Sequence, residues 1–152
     1  MIVAAPVAGT VVGLDAVPDE VFAAGMVGPG VAVEPSGPGT VEVVAPVAGT
    51  LVKVHPHAFA MTTGDATGVL VHLGIDTVRL RGEGFEVVRT EGESVQVGDV
   101  IVRWSPDDVR ARGMSAVCPA VVLDVDPDRV SVAATIGVPV AAGAPLLHVL
   151  RE

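Results

Sequence analysis

Ala5-Pro6-Val7-Ala8-Gly9-Thr10-Val11-Val12 returns almost unchanged, forty residues later, as Ala45-Pro46-Val47-Ala48-Gly49-Thr50-Leu51-Val52. Each copy reads as a turn, set by Pro and Gly, that feeds a β-branched strand. Two looser relatives follow, Val95-Gln96-Val97-Gly98-Asp99-Val100-Ile101-Val102 and Val138-Pro139-Val140-Ala141-Ala142-Gly143-Ala144-Pro145-Leu146-Leu147. Neither pattern recurs often enough for a solenoid. The expectation is a compact β fold with internal duplication.

Composition agrees. Half of the 152 residues are apolar, yet only 3% are aromatic and Tyr is absent, so Val, Leu, Ile and Ala must build the core. Eighteen Gly and twelve Pro suit many short strands and disfavour long helices. Two short helices are expected. Ser105-Pro106-Asp107-Asp108-Val109-Arg110-Ala111-Arg112-Gly113 carries an N-cap Ser, Pro at N1, acids in the first turn, arginines in the last and a terminating Gly. Pro18–Gly25 shows the same grammar more weakly. No linker divides the chain, so residues 1–152 are expected to form one domain.

The net charge of −9 and a pI near 4.7 argue against nucleic acid and anionic membranes, and for a basic protein partner. One cysteine, Cys118, allows no internal disulfide and is expected to be a buried, inert thiol. The start, Met1-Ile2-Val3-Ala4-Ala5-Pro6, lacks the basic region of a signal peptide. Val130–Leu150 contains no charged residue, but Gly137, Pro139, Gly143 and Pro145 interrupt it. It reads as two buried strands rather than a membrane span, with His148 structural within it. The chain is therefore expected to be cytoplasmic and not membrane-inserted.

Chemistry concentrates in His57-Ala58-Phe59-Ala60-Met61-Thr62-Thr63-Gly64-Asp65-Ala66-Thr67-Gly68-Val69-Leu70-Val71-His72. A hairpin reversing at Gly64–Asp65 would place His57 directly opposite His72, with Phe59 and Leu70 as same-face neighbours. Two imidazoles so placed suit phosphoryl carriage. One neutral ring attacks phosphorus, and the other donates an N–H to a phosphoryl oxygen. The alternative is a pair of ordinary strand histidines.

Val71-His72-Leu73-Gly74-Ile75-Asp76-Thr77-Val78 and Gly82-Glu83-Gly84-Phe85 closely resemble the active-site segment of the glucose-family IIA components of the sugar phosphotransferase system. Val17-Pro18-Asp19-Glu20-Val21-Phe22, the second Ala-Pro-Val-Ala-Gly-Thr and His57-Ala58-Phe59 match in the same order. The resemblance implies an antiparallel β-sandwich or barrel hybrid. It implies phosphorylation of His72 on Nε2, assistance by His57, HPr as donor and a IIB domain of a sugar permease as acceptor. No cofactor or metal is expected, and regulatory protein targets are possible. Asp76 and Asp19 would line the rim and attract an arginine on the donor. Val21, Phe22, Val27, Phe59 and Leu73 are candidates for an apolar docking ring, or equally for plain core. The Gly74 carbonyl is a candidate for fixing the His72 tautomer. His55 stands where relatives often carry an orienting Thr, so it either takes over that role or leaves His57 held differently.

Two other readings are available. His72 and Asp76 have the H-x-x-x-D spacing of LytM-like zinc metallopeptidases, but the later H-x-H pair of that family is missing. Ala-Pro-Val-Ala-Gly-Thr also suggests a biotinyl or lipoyl carrier, yet the sole lysine, Lys53, lacks the flanking methionines.

Overall fold

A computed structural model describes residues 1–150; the expected 1–152 extent runs two residues further. The strands are β1 (Ile2–Ala4), β2 (Gly9–Val12), β3 (Gly30–Pro35), β4 (Val41–Val44), β5 (Gly49–His55), β6 (Ala58–Thr62), β7 (Gly68–His72), β8 (Phe85–Val87), β9 (Ser94–Val95), β10 (Val100–Trp104), β11 (Cys118–Leu123), β12 (Val130–Val132), β13 (Pro139–Val140) and β14 (Pro145–Val149). Two short α-helices, α1 (Glu20–Ala23) and α2 (Pro106–Ala111), and three 3-10 helices (Leu14–Ala16, Thr77–Leu80 and Pro127–Arg129) complete the regular structure of the described residues. All strand pairings are antiparallel. The fold is an all-β sandwich, as the sequence suggested.

The repeat is written into the sheet order. An eight-stranded sheet runs β13-β2-β3-β11-β7-β6-β5-β9, flanked by β1-β14-β12 and β4-β10-β8. Exchanging β13 with β9, β2 with β5, β3 with β6 and β11 with β7 gives the same large sheet read from its other end, and exchanging β1 with β4, β14 with β10 and β12 with β8 makes the two small sheets trade places. The two Ala-Pro-Val-Ala-Gly-Thr copies clasp each other reciprocally. The Ala4 amide donates to the Pro46 carbonyl, and the Val44 amide to the Pro6 carbonyl, both at 2.8 Å. The looser relatives close the same pattern, with Gly143 N donating to Ala5 O (2.8 Å) and Gly98 N to Ala45 O (3.0 Å). Glycine is required in the motif by close approach. A Cβ at Gly9 would fall 2.0 Å from the Glu34 carbonyl oxygen, and one at Gly49 would fall 2.3 Å from that of Thr62.

Alternation along the central strands divides the apolar residues between two clusters. Val31, Val33, Phe59, Met61, Val69, Val71, Cys118, Ala120 and Val122 enter the main core with Trp104, Leu146 and Leu147. Ala32 and Val121 point the other way, into a smaller cluster with Val17, Phe22, Ile75 and Val117. Each fully buried Val or Leu contributes about 1.5–3 kcal/mol before conformational entropy is subtracted. The smaller cluster is the floor on which the histidine site stands.

Both helices form where their caps direct. Ser105 Oγ accepts from the Asp108 amide at 3.3 Å, with Pro106 at the first position of α2. Asp19 Oδ1 accepts from the amides of Val21 (2.9 Å) and Phe22 (3.2 Å), so α1 starts at Glu20.

Two expectations fail here. The uncharged C-terminal stretch holds three short strands, β12, β13 and β14, rather than two buried ones, and most of 131–143 is exposed. Only Leu146, Leu147 and Val149, all on β14 between β1 and β12, are buried, whereas β12 and β13 are edge strands. His148 is exposed, paired with Ile2 and Ser131. No helix among the described residues is long and apolar enough to cross a membrane.

Candidate functional site

The β6–β7 hairpin does not turn where the sequence suggested. Ala58, not His57, pairs with His72, and Phe59 pairs with Val71. The loop is longer than two residues: Thr63 N donates to Thr67 O (2.9 Å) and Ala66 N to Thr63 O (3.0 Å). Asp65 ties its ends by accepting from the hydroxyls of Thr63 and Thr67. The positive φ of 65° falls on Ala66 rather than on Gly64. This one-residue shift inverts the facing of β6. Phe59 points into the core at 1% exposure and cannot belong to a docking ring.

His57 nevertheless reaches His72. It lies outside β6, in the tight Pro56-His57 turn that joins β5 to β6, where His55 pairs with Ala58. Its carbonyl accepts from the Leu73 amide at 2.7 Å, which fixes its backbone beside the end of β7. The two rings meet edge to face, with centroids 5.3 Å apart and planes at 70°. On the other side of His57, the ring of His55 is stacked at 5.6 Å and 27°. The contact of His55 is thus ring on ring rather than a hydroxyl-type hydrogen bond.

His72 is held from three directions. Its Nδ1 lies 2.5 Å from the Gly74 carbonyl oxygen. A carbonyl only accepts, so Nδ1 carries the proton and Nε2 keeps its lone pair. Phe22 of α1 packs edge-on against the ring, with centroids 5.6 Å apart. The chain beyond is locked by Thr77, buried at 1% exposure, whose hydroxyl donates to the Leu73 carbonyl at 2.6 Å. Gly74 has φ +76°, and a Cβ there would meet Thr77 Cγ2 at 2.7 Å and Ser115 O at 2.8 Å.

Burial pushes the His72 imidazole below its ordinary pKa, opposed by the Gly74 hydrogen bond and the carboxylates of Asp19 and Asp76. Burial also lowers His57, helped by the neighbouring His72 and His55 rings. Both rings are therefore mainly neutral at pH 7, so each has one N–H and one lone pair. Asp76 is exposed with φ +63°, and Asp19 sits at the α1 cap, both close enough to act on His72.

The remaining candidates divide by exposure. Val21 is exposed, Val27 is half-buried against the smaller cluster, and Phe22 is 8% exposed. Leu73 is fully buried and, like Phe59, is core rather than docking surface. Two exposed apolar residues on the same segments escaped sequence reasoning, Met26 (75%) and Val78 (57%). Their signal was their position: one follows the capped helix, the other follows Asp76. Cys118 is completely buried, donates to the Ala116 carbonyl, and is pushed up to about 12 by burial, as expected of an inert thiol. Clefts of about 420 Å³ and 340 Å³ lie toward the opposite end of the hairpin, lined by Thr62, Thr67 and Asp124 in one and Gly64 and Asp65 in the other. The half-buried histidines line neither cleft.

Comparison with known proteins gives this arrangement its family. Residues 1–127 match the model for "phosphoenolpyruvate-dependent sugar phosphotransferase system, EIIA 1". The glucose-specific EIIA component of Halalkalibacterium halodurans is 41% identical over 124 residues, 80% of this chain and 70% of that protein. The N-acetylglucosamine-specific EIICBA component of Klebsiella pneumoniae is 40% identical over 146 residues, 95% of this chain but only 22% of that protein. The chain thus spans about a fifth of the length of such larger relatives. The solved glucose permease IIA from Mycoplasma capricolum superimposes with a TM-score of 0.85 at 33% identity, covering 97% of this chain and 94% of that one.

The chain belongs to the EIIA family of the phosphoenolpyruvate-dependent sugar phosphotransferase system. It is a phosphoryl-transferring component of that system. The zinc-peptidase reading finds no support. The matches above all point to the phosphotransferase system, and the H-x-H pair is used in the ring stack described above. The other histidine, His148, belongs to the separate β1-β14-β12 sheet.

Proposed function

We propose that His72 is the phosphoryl carrier and His57 its catalytic partner. The observation that supports this most is the pairing of two neutral imidazoles at 5.3 Å, one with its Nδ1 already engaged by Gly74. Nε2 of His72 attacks the phosphorus of a phosphohistidine on HPr. The donor's P–N bond breaks as the new one forms, and the donor ring leaves with its electron pair. His57 donates an N–H to a phosphoryl oxygen, whose charge peaks in the in-line transition state. The reverse geometry then delivers the group to a cysteine thiolate on a IIB domain, forming a P–S bond and restoring His72.

Asp19 and Asp76 form an acidic rim that steers basic partner residues, which fits a chain of net charge −9. Val21, Phe22, Val27, Met26 and Val78 supply the apolar contact. Residues 1–152 act as one IIA domain, at work in the cytoplasm either alone or within a longer permease chain. The sugar is then set by the membrane component, of the kind named for the glucose- and N-acetylglucosamine-specific relatives. Regulatory proteins that read the phosphorylation state would use the same face.

The test incubates the protein with phosphoenolpyruvate, enzyme I and HPr. Wild type should gain an acid-labile phosphate, His72→Gln none, and His57→Gln a label that is not passed on. Persistent labelling of His72→Gln would overturn the site assignment.

A further inference from the structure

We propose that His55 is a positioning residue, whose stacked ring holds His57 against His72 in the geometry that transfer needs. This rests on the reading of His72 as carrier and His57 as its assistant. Pro56 fixes one backbone torsion of the two-residue turn and packs against Gly82, where an added Cβ would lie 3.2 Å from Pro56 Cγ. The His57 carbonyl is tied to Leu73 N. These contacts fix where the His57 ring starts and leave its side-chain torsions free. What bounds the ring is one imidazole on each side: the edge-to-face contact with His72 at 5.3 Å and the stack with His55 at 5.6 Å and 27°.

The stack does two things that the hydroxyl of a Thr cannot. It presents a flat surface that limits rotation of the His57 ring, so that the N–H stays aimed at the phosphoryl oxygens rather than sweeping into solvent. It also sets a second titratable ring beside His57. The charged and titratable groups that bear on His57 are His72 from β7 and His55 from β5, while Asp19 at the α1 cap and Asp76 on the rim act on His72. Burial is the main cause that disfavours a proton on His57, and the neighbouring His72 and His55 rings add to it in that order. His55 itself is exposed and ends its strand, so replacing it leaves the core untouched.

The experiment compares wild type, His55→Ala and His55→Phe by rapid-quench transfer from the phosphorylated protein to a IIB domain, over a range of IIB concentrations. The titration of His57 is followed in parallel by two-dimensional ¹⁵N–¹H spectra. In His55→Ala the saturating transfer rate should fall on the order of tenfold, as for a small misplacement of a reacting group. The half-saturating IIB concentration should be unchanged, and His57 should titrate at higher pH than in wild type. Phe keeps the flat face and loses the charge. Its rate should recover to within about twofold of wild type while the titration remains shifted. An unaltered rate in His55→Ala, or His55→Phe as slow as His55→Ala, would overturn the proposal. Failure of wild type to carry phosphate on His72 is a different result, and would overturn the carrier reading beneath it.

Discussion

The Nδ1 of His72 lies 2.5 Å from the carbonyl oxygen of Gly74, two residues further along the chain, so the ring is oriented by its own backbone. Because the acceptor is a carbonyl, a neutral His72 is held as the Nδ1–H tautomer with Nε2 free. Long-range ¹⁵N–¹H spectra at pH 7.5 should show that tautomer predominating at His72. A predominant Nε2–H form would contradict the geometry, since the nitrogen assigned to attack would then be blocked.

Gly74→Ala should damage both fold and site. The left-handed backbone at φ +76° and the contacts with Thr77 and Ser115 leave no room for a Cβ. Urea unfolding should report a loss of about 1–3 kcal/mol. The Nδ1–H preference of His72 should weaken in the same variant. An Ala substitution without effect on either would mean that the turn is looser than described.

Stability should fall as the protein is acidified through the histidine range. Unfolded histidines bind protons near pH 6.5, whereas burial holds His57 and His72 below that value in the fold. In this window the unfolded chain binds more protons, so stability is full above about pH 7 and is lost as pH falls toward the lowered folded values. Denaturant midpoints measured from pH 7.5 to 5 should show this slope, and it should flatten in His72→Gln and His57→Gln. An unchanged slope in both variants would mean that the two rings are not desolvated.

The repeat made the duplication legible before any coordinates, because Ala-Pro-Val-Ala-Gly-Thr carries its own turn and close-approach glycine. The α2 boundaries were legible for a similar reason: Ser105, Pro106 and Gly113 are local signals. The hairpin register was not. A two-residue reversal at Gly64–Asp65 looked sufficient, but the side chain of Asp65 bridging Thr63 and Thr67 closes a longer loop, and no local pattern announces that. Phe59 was assigned to the wrong face as a direct consequence. Leu73, open between docking ring and core in the sequence, is core; it follows the last strand residue, where alternation no longer says which way a side chain points. The rings of His57 and His72 still meet, but the turn after His55 rather than strand pairing brings them together.

Asp19 has two roles that separate experimentally. It caps α1, so Asp19→Ala should cost about 1 kcal/mol in unfolding measurements. Its charge also belongs to the rim around His72. Asp19→Asn retains an acceptor for the cap while removing the charge, and should weaken the salt dependence of phosphoryl acceptance with little loss of stability. Equal salt dependence in wild type and Asp19→Asn would remove Asp19 from the docking surface.

The most direct measurement is the position of phosphorus on the protein itself. Of the four histidines, His72 is the one whose Nδ1 is held by a backbone carbonyl, which leaves its Nε2 lone pair free. In ³¹P–¹⁵N correlation spectra of the freshly phosphorylated, ¹⁵N-labelled protein, coupling should appear at a single nitrogen, Nε2 of His72. Coupling to Nδ1 of that ring, or to any nitrogen of His55, His57 or His148, would contradict the account.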